Sequence, residues 1–315
     1  MQTIDVIVRE VGLRDGLQLV KSFVPTETKL KWARAVAAAG VPEIEITNFV
    51  PPRVIAQFAD ASEVARQALS IAGPKIVALA PNRKGAENML KAGIRNINFV
   101  LSVSEEHNKA NVNKTVDQSF EEFEKVVSLR SENPDWKDVR IQGCLATSFG
   151  CTIRGKVDPD DVVKGATRYL ELGADEITLA DTVGYAAPGE IKSLFQRVVK
   201  LADGKPVYSH FHDTRGLGLA NVYAALEAGV RAFDASTGGL GGCPFAPGAS
   251  GNIVMEDLVF LLEKEGLKTG VDLEKYREAR RIAEDALPNE NFYGTILRVG
   301  FPKGFTPVSR LEAAE

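Results

Sequence analysis

The feature that most narrows the fold is an alternation. From the first residues to about residue 265, strand-like and helix-like runs take turns. The strand-like runs are expected over Ile4–Arg9, Glu43–Asn48, Lys75–Ala80, Asn96–Ser102, Arg140–Thr147, Glu176–Asp181, Val207–His212 and Ala232–Ser236. Several are almost continuously apolar, as in Lys-Ile-Val-Ala-Leu-Ala at 75–80. That suits strands of a parallel sheet covered on both faces. The runs between them have helical spacing: Leu30, Ala33 and Val36 share one side, as do Val162, Ala166 and Tyr169.

Helix ends are marked as well. Asp158-Pro159 reads as an N-cap followed by proline in the first turn, and Ser119 with Glu122 reads as a capping box. Ala39-Gly40-Val41, Ala92-Gly93-Ile94, Leu172-Gly173-Ala174 and Ala228-Gly229-Val230 form a weak repeat. In each, the glycine can take the left-handed position that ends a helix before the next strand. A strand–helix unit repeated about eight times over about 250 residues predicts a (β/α)8 TIM barrel. A doubly wound open sheet is the runner-up, because periodicity does not report closure. Residues 1–265 are assigned to the barrel. Residues 266–315, where the alternation stops, are assigned to a C-terminal helical extension and a proline-bearing tail packed on it, with a helix over 272–286.

Composition excludes several classes. The 315 residues are 44% hydrophobic and 25% charged, with a net charge of −4. No basic excess points to nucleic acid or to a membrane surface. No apolar run approaches the roughly 18 residues of a spanning helix, and the opening residues lack a signal-peptide pattern. Cys144, Cys151 and Cys243 are too few and too scattered for a disulfide scaffold, so a cytoplasmic setting is expected.

In a barrel, chemistry sits at the C-terminal ends of strands. Two of the three histidines, His210 and His212, stand at i and i+2 at the end of the seventh strand. Such residues point to one face, so both imidazoles can reach one metal ion. Two ordinarily hydrogen-bonded histidines are the alternative. After the first strand, Asp15 could add a carboxylate and Arg14 could stabilise an oxyanion, unless the pair is a structural turn. Glu45 lies between isoleucines, where a carboxylate is costly without a partner. Asp181 ends the sixth strand before a glycine loop and reads either as a site residue or as a turn aspartate. Cys243 follows four glycines within 238–242 and could move protons if its pKa is shifted. Asn252 comes next, a neutral oxygen ligand or an N-cap. Two histidines, a carboxylate and an amide oxygen suit a divalent metal: Mg2+, Mn2+ or Zn2+.

Arg-Asp-Gly-Leu-Gln at 14–18, His-Phe-His-Asp at 210–213 and Gly-Leu-Gly-Gly-Cys-Pro-Phe at 239–245 together resemble the hydroxymethylglutaryl-CoA lyase family. That family belongs to a wider group of metal-dependent barrel lyases and synthases. The resemblance implies metal ligands at Asp15, His210, His212 and Asn252. It implies Arg14 as oxyanion stabiliser, Cys243 as a proton-transfer residue, and Glu45 and Asp181 as acidic residues near the substrate. It implies a retro-Claisen cleavage of a 3-hydroxyacyl-CoA, with 3-hydroxy-3-methylglutaryl-CoA giving acetyl-CoA and acetoacetate. CoA is then part of the substrate, and a homodimer is expected by analogy. The alternatives are a lyase for a related branched thioester such as citramalyl-CoA, a Claisen-type synthase, or a barrel turned scaffold. The chain departs from the family at Leu13, Asn48, 151–154 and 236–239. Positions 48 and 151–154 end strands where the acyl group could be read. Lys21, Lys84, Lys109 and Arg154 are candidates for the CoA phosphates, though each fits better as a solvated charge.

Overall fold

The computed structural model describes residues 3–242 and 251–311. Cys243 therefore lies outside the described residues. Among the described residues there are eight strands: Ile7–Glu10 (β1), Glu43–Asn48 (β2), Lys75–Leu79 (β3), Asn96–Ser102 (β4), Arg140–Ala146 (β5), Glu176–Asp181 (β6), Val207–Phe211 (β7) and Ala232–Ala235 (β8). All neighbouring pairs run parallel, and β1 pairs with β8, which closes the barrel and rules out the open sheet. The first strand starts three residues later than expected. Asp5 is instead hydrogen-bonded to the carbonyl of Lys268, which holds the chain outside the barrel there.

The predicted helix stops hold. Gly40, Gly93, Gly173 and Gly229 all have positive φ, between 87° and 102°. Asp158 caps the helix Pro159–Glu171 through the Asp160 amide, 2.9 Å away. The capping box is displaced by one turn. Thr115 and Gln118 form it, at 3.1 and 2.9 Å, because that pair meets the same pattern nearer the true helix start at Val116. Ser119 is buried inside the helix, where its hydroxyl accepts from Asn108 at 2.8 Å.

The strands' outer faces carry the apolar residues that pack on the helices, with Val8, Ile44, Ile97, Ile177 and Phe211 buried. The barrel interior is charged. Arg9 spans it, donating to both oxygens of Asp234 at 2.8 Å and to Gln142 at 2.7 Å. Its guanidinium carbon sits 4.6 Å from the Tyr208 ring centre. Towards the N-terminal end, Lys75 bridges Glu43 (2.9 Å) and Glu176 (3.1 Å), and Tyr208 donates to Glu43. Buried charges are tolerated only when paired, and each of these has its partner.

The helix Leu273–Ala286, predicted from spacing, packs on the helix Thr26–Ala38. The proline-bearing tail beyond makes helical turns at Ile296–Val299 and Val308–Leu311. Tyr276 of the long helix donates to Glu10 at the end of β1 and touches Thr237 at 2.7 Å. Burial pushes the Glu10 carboxyl up to about 7 from its ordinary 4.5, against hydrogen bonds from Tyr276, Thr237 and Gly12 that favour the anion. A raised folded-state pKa gives stability that is fully present below 4.5 and lost as pH rises through about 7. Glu10→Gln is expected to remove about 3 kcal/mol of pH dependence across that window. Urea denaturation at pH 4.5, 6 and 8 checks it, and an unchanged slope with pH would contradict the assignment.

Candidate metal centre and cavity

The barrel mouth brings β7, β8 and β1 side by side. His210 lies in β7, and His212, one residue past it, bridges to Asn252. Asp15 follows β1 after a tight turn closed on the Val11 carbonyl. The two Nε2 atoms are 3.3 Å apart, and they stand 3.9 Å (His210) and 3.5 Å (His212) from Asp15 Oδ2. Metal–ligand bonds of about 2.0–2.2 Å place neighbouring donors roughly 3–3.5 Å apart, so the spacing is close to that of a coordination shell. Asn252 donates its amide hydrogens to Asp15 Oδ2 at 2.8 Å and to the Leu240 carbonyl at 3.1 Å. Its Oδ1 is buried and has no hydrogen-bond partner among the described residues. A buried acceptor of this kind calls for a partner, and the Asn252 side chain that carries it touches the Asp15 carboxylate. These residues fit a divalent cation.

The supporting residues fix the ligands. Asp234 Oδ2 lies 3.1 Å from His210 Nδ1, which holds that nitrogen as the donor and leaves Nε2 to face the centre. Burial alone would raise the Asp234 pKa, but Arg9 and His210 hold it below the usual carboxylate range. The same contest at Asp15 ends the same way: burial is overturned by Arg14 and the two histidines, and its pKa falls well below normal. Arg14 donates from Nε to Glu45 Oε2 and from Nη1 to Asp15 Oδ1, both at 2.6 Å. Burial disfavours its charge, but Glu45 and Asp15 more than offset this and raise its pKa. Nη2 is left for the cavity.

A cavity of about 210 Å³ opens at this centre. Arg14, Asp15, His210 and His212 line one side, from β1 and β7. Asn48, Leu79, Asn98 and Val100 line the other, from β2, β3 and β4. It adjoins a second cavity of about 420 Å³, and the two share Gln18, Val54, Ile55 and Asn111.

The structure does not bring every expected residue to this cavity. Glu45 is fully buried and is not in its wall; both its oxygens are taken, by Arg14 and by Asn98 at 2.8 Å. It positions Arg14. Asp181 is also absent from the wall. Its oxygens accept from the amides of Tyr185 (2.9 Å) and Ala186 (3.0 Å), which is the role of a turn aspartate. Asn252 is no N-cap, since the next helix begins at Met255 after Val254. Residues 151–154 turn away: Cys151 Sγ accepts from Ile153 and Arg154, and Cys151 pairs with Gly155. Of the departures expected to read the acyl group, Asn48 alone lines the cavity. Lys84 and Lys109 pair with Glu87 and Glu105, while Lys21 lines the second cavity.

Three site residues are not marked by strand-end position. Arg9 and Asp234 lie inside strands, below the strand ends. A charge within an otherwise apolar strand is their signal. The third histidine, His107, lies in the helix Glu105–Val112 after β4, which carries no pattern of its own. It lines the cavity, with Nδ1 2.8 Å from Ser102 Oγ, and burial lowers its pKa.

The glycines at 241 and 251 are explained by close approach. A Cβ on Gly241 (φ 130°) would lie 2.6 Å from Asn252 Nδ2, and one on Gly251 (φ 92°) would lie 2.5 Å from two carbonyls. Only glycine brings these stretches of loop close enough to seat Asn252.

Fold and site together define a (β/α)8 barrel whose C-terminal mouth gathers two histidines and a carboxylate in a cluster that could hold a metal ion. The HMGL-like family model matches residues 5–283. A curated hydroxymethylglutaryl-CoA lyase of Pseudomonas mevalonii is 42% identical, covering 87% of this chain and 89% of that protein. One of Bacillus subtilis (strain 168) is 37% identical, covering 91% and 96%. The solved HMG-CoA lyase from Acinetobacter baumannii, in complex with coenzyme A and 3-methylmalate, superposes with a TM-score of 0.89 at 38% identity, covering 98% and 99%. The chain belongs to the HMGL-like family.

Proposed function

We propose that this chain is a carbon–carbon lyase that cleaves 3-hydroxy-3-methylglutaryl-CoA to acetyl-CoA and acetoacetate. The observation that carries the reading is the convergence of Asp15, His210 and His212 on one point, with the Asn252 amide against Asp15, beside a guanidinium with one face left for the cavity. The relatives' names support the same reaction.

A bound divalent cation, Mg2+ or Mn2+ before Zn2+, would supply Lewis acidity to the 3-hydroxyl of the substrate. Oxygen donors from Asp15 and Asn252 favour the harder ions. The chain's own residues do the rest. Asp234, clamped by Arg9, keeps His210 in one tautomer. Glu45 and Asp15 lock the Arg14 fork, so Nη2 faces the thioester oxygen that gains negative charge as the C2–C3 bond breaks. Such a preset donor needs no reorganisation when the charge develops. Cys243 is assigned the proton delivered to the departing acetyl group, and Gly242, the residue before it, lines the cavity. The CoA arm leaves over Val54, Ile55 and Asn111 into the second cavity, towards Lys21. Among the described residues no helix is long and apolar enough to cross a membrane. A homodimer in the cytoplasm completes the proposal.

The test is direct. Purified protein is incubated with the thioester and each metal, and acetyl-CoA and acetoacetate are quantified. Equal amounts of both products, only with metal present, are expected. No thioester cleavage with any of the three metals would end the lyase reading.

A further inference from the structure

The second cavity takes its rim from two loops. Residues 11–25, after β1, supply Leu19 and Phe23, and residues 49–60, after β2, supply Val54 and Gln57. Among the described residues no backbone–backbone hydrogen bond joins the two loops. Three large apolar side chains of the rim stand open to solvent: Leu19 is 41% exposed, Phe23 50% and Val54 65%. Apolar side chains gathered around a cavity mouth mark a surface that a ligand covers. The two halves of this rim come from different loops, so it keeps its shape only while the loops keep one spacing.

A polar latch sets that spacing. Gln57 is buried, and its side chain reaches across to the first loop. Its Oε1 accepts from the Val24 amide and its Nε2 donates to the Ser22 carbonyl, both at 2.9 Å, as a residue of a neighbouring parallel strand would. Those two bonds flank Phe23. Lys29, in the helix Thr26–Ala38, is buried too; its Nζ donates to the Gln57 carbonyl at 2.6 Å and to Asp60 Oδ1 at 2.7 Å. The Phe23 ring covers the same ammonium, with its centre 4.5 Å away. Thr26 adds a bond to Asp60 Oδ2 at 2.7 Å. Burial lowers the Lys29 pKa, and Asp60 works against that. A buried ion pair is a weak source of net stability. Its service here is geometric, since both hydrogen bonds of the ammonium tie the helix after the first loop to the second loop.

Resting on the lyase reading, we propose that Lys29 and Gln57 are positioning residues that hold the two loops as one rim for the methylene-and-amide arm of the CoA thioester. Lys29 is in the wall of neither cavity, so it acts through Gln57 and Phe23. Gln57 lines the second cavity but not the one at the metal centre. A substrate whose arm crosses the rim gains binding from the latch. Bond cleavage at the metal centre does not draw on it.

The experiment compares 3-hydroxy-3-methylglutaryl-CoA with the N-acetylcysteamine thioester of the same acid, which has the same acyl group and only the first atoms of the arm. Both are assayed with metal-loaded wild-type protein, Lys29→Met, Gln57→Leu and Thr26→Val. Wild type should favour the CoA thioester in kcat/KM, because a remote part of a substrate contributes binding energy. Lys29→Met and Gln57→Leu should each raise KM for the CoA thioester about tenfold at unchanged kcat, the size of a lost buried hydrogen bond. Neither should change kcat/KM for the short thioester. Thr26→Val removes one bond from a half-buried position and should shift KM about threefold in the same direction, which keeps the test open if a buried replacement unfolds the barrel. Purely structural damage lowers the rates with both thioesters alike, so the ratio between them separates the two roles. Equal losses on both thioesters, a fall in kcat with KM unchanged, or a ratio that no variant moves overturns the proposal while leaving the lyase reading intact. Cleavage of neither thioester by wild type overturns both.

Discussion

Replacing His210 with alanine should strip the metal from dialysed protein and lower kcat for thioester cleavage by about 10³-fold or more, with the fold retained. Removing a partner of a metal-bound histidine already costs about 10–100-fold in affinity or rate, and here a ligand itself is lost. His212, Asp15 and Asn252 would remain, but Asp15 is also drawn towards Arg14. The fold survives because Asp234, deprived of His210, keeps both bonds from Arg9. Metal content by elemental analysis, kcat at saturating metal and circular dichroism check the three parts separately. A variant that kept both metal and rate would remove His210 from the ligand set.

Arg14→Met is expected to act on stability and rate together. It leaves Glu45 fully buried with Asn98 as its remaining hydrogen-bond donor, and it removes the cation that does most to depress the Asp15 pKa. Breaking a buried ion pair from one side costs about 3–5 kcal/mol. Losing an oxyanion donor costs about 10²–10³ in kcat. Arg14→Lys separates the two effects. An ammonium keeps the charge between Glu45 and Asp15, so most of the stability should return. A point charge cannot reproduce the planar fork that serves two carboxylates and the cavity together, so the rate should stay down by about 10²-fold. Urea denaturation and kcat/KM on the same preparations read both. Full activity in Arg14→Lys would show that Arg14 contributes charge alone.

The residues easiest to read from the chain are those whose role follows from chain direction. His210 and His212 stand two apart at a strand end, and period two sends them to one side. Asp15 and Asn252 follow neighbouring strands of a closed barrel, so closure brings them to the same point. Glu45 is legible as a buried carboxylate but not as the holder of Arg14, because its partner is set by how far one side chain reaches across from β1. Asp181 shows the opposite case, where a strand-end aspartate serves the backbone of its own turn.

Sequence by itself determined the eightfold alternation, the helix stops at Gly40, Gly93, Gly173 and Gly229, and the shared face of His210 and His212, because each depends on local periodicity or on position along a strand. Only the tertiary structure decided that the barrel interior is charged, that Arg9 and Asp234 stand behind His210, and that His107 shares a wall with Asn48 and Asn98 while residues 151–154 do not. Those facts depend on which residues meet across the barrel. Strand register and closure set such meetings, and neither leaves a trace in the spacing of a single chain.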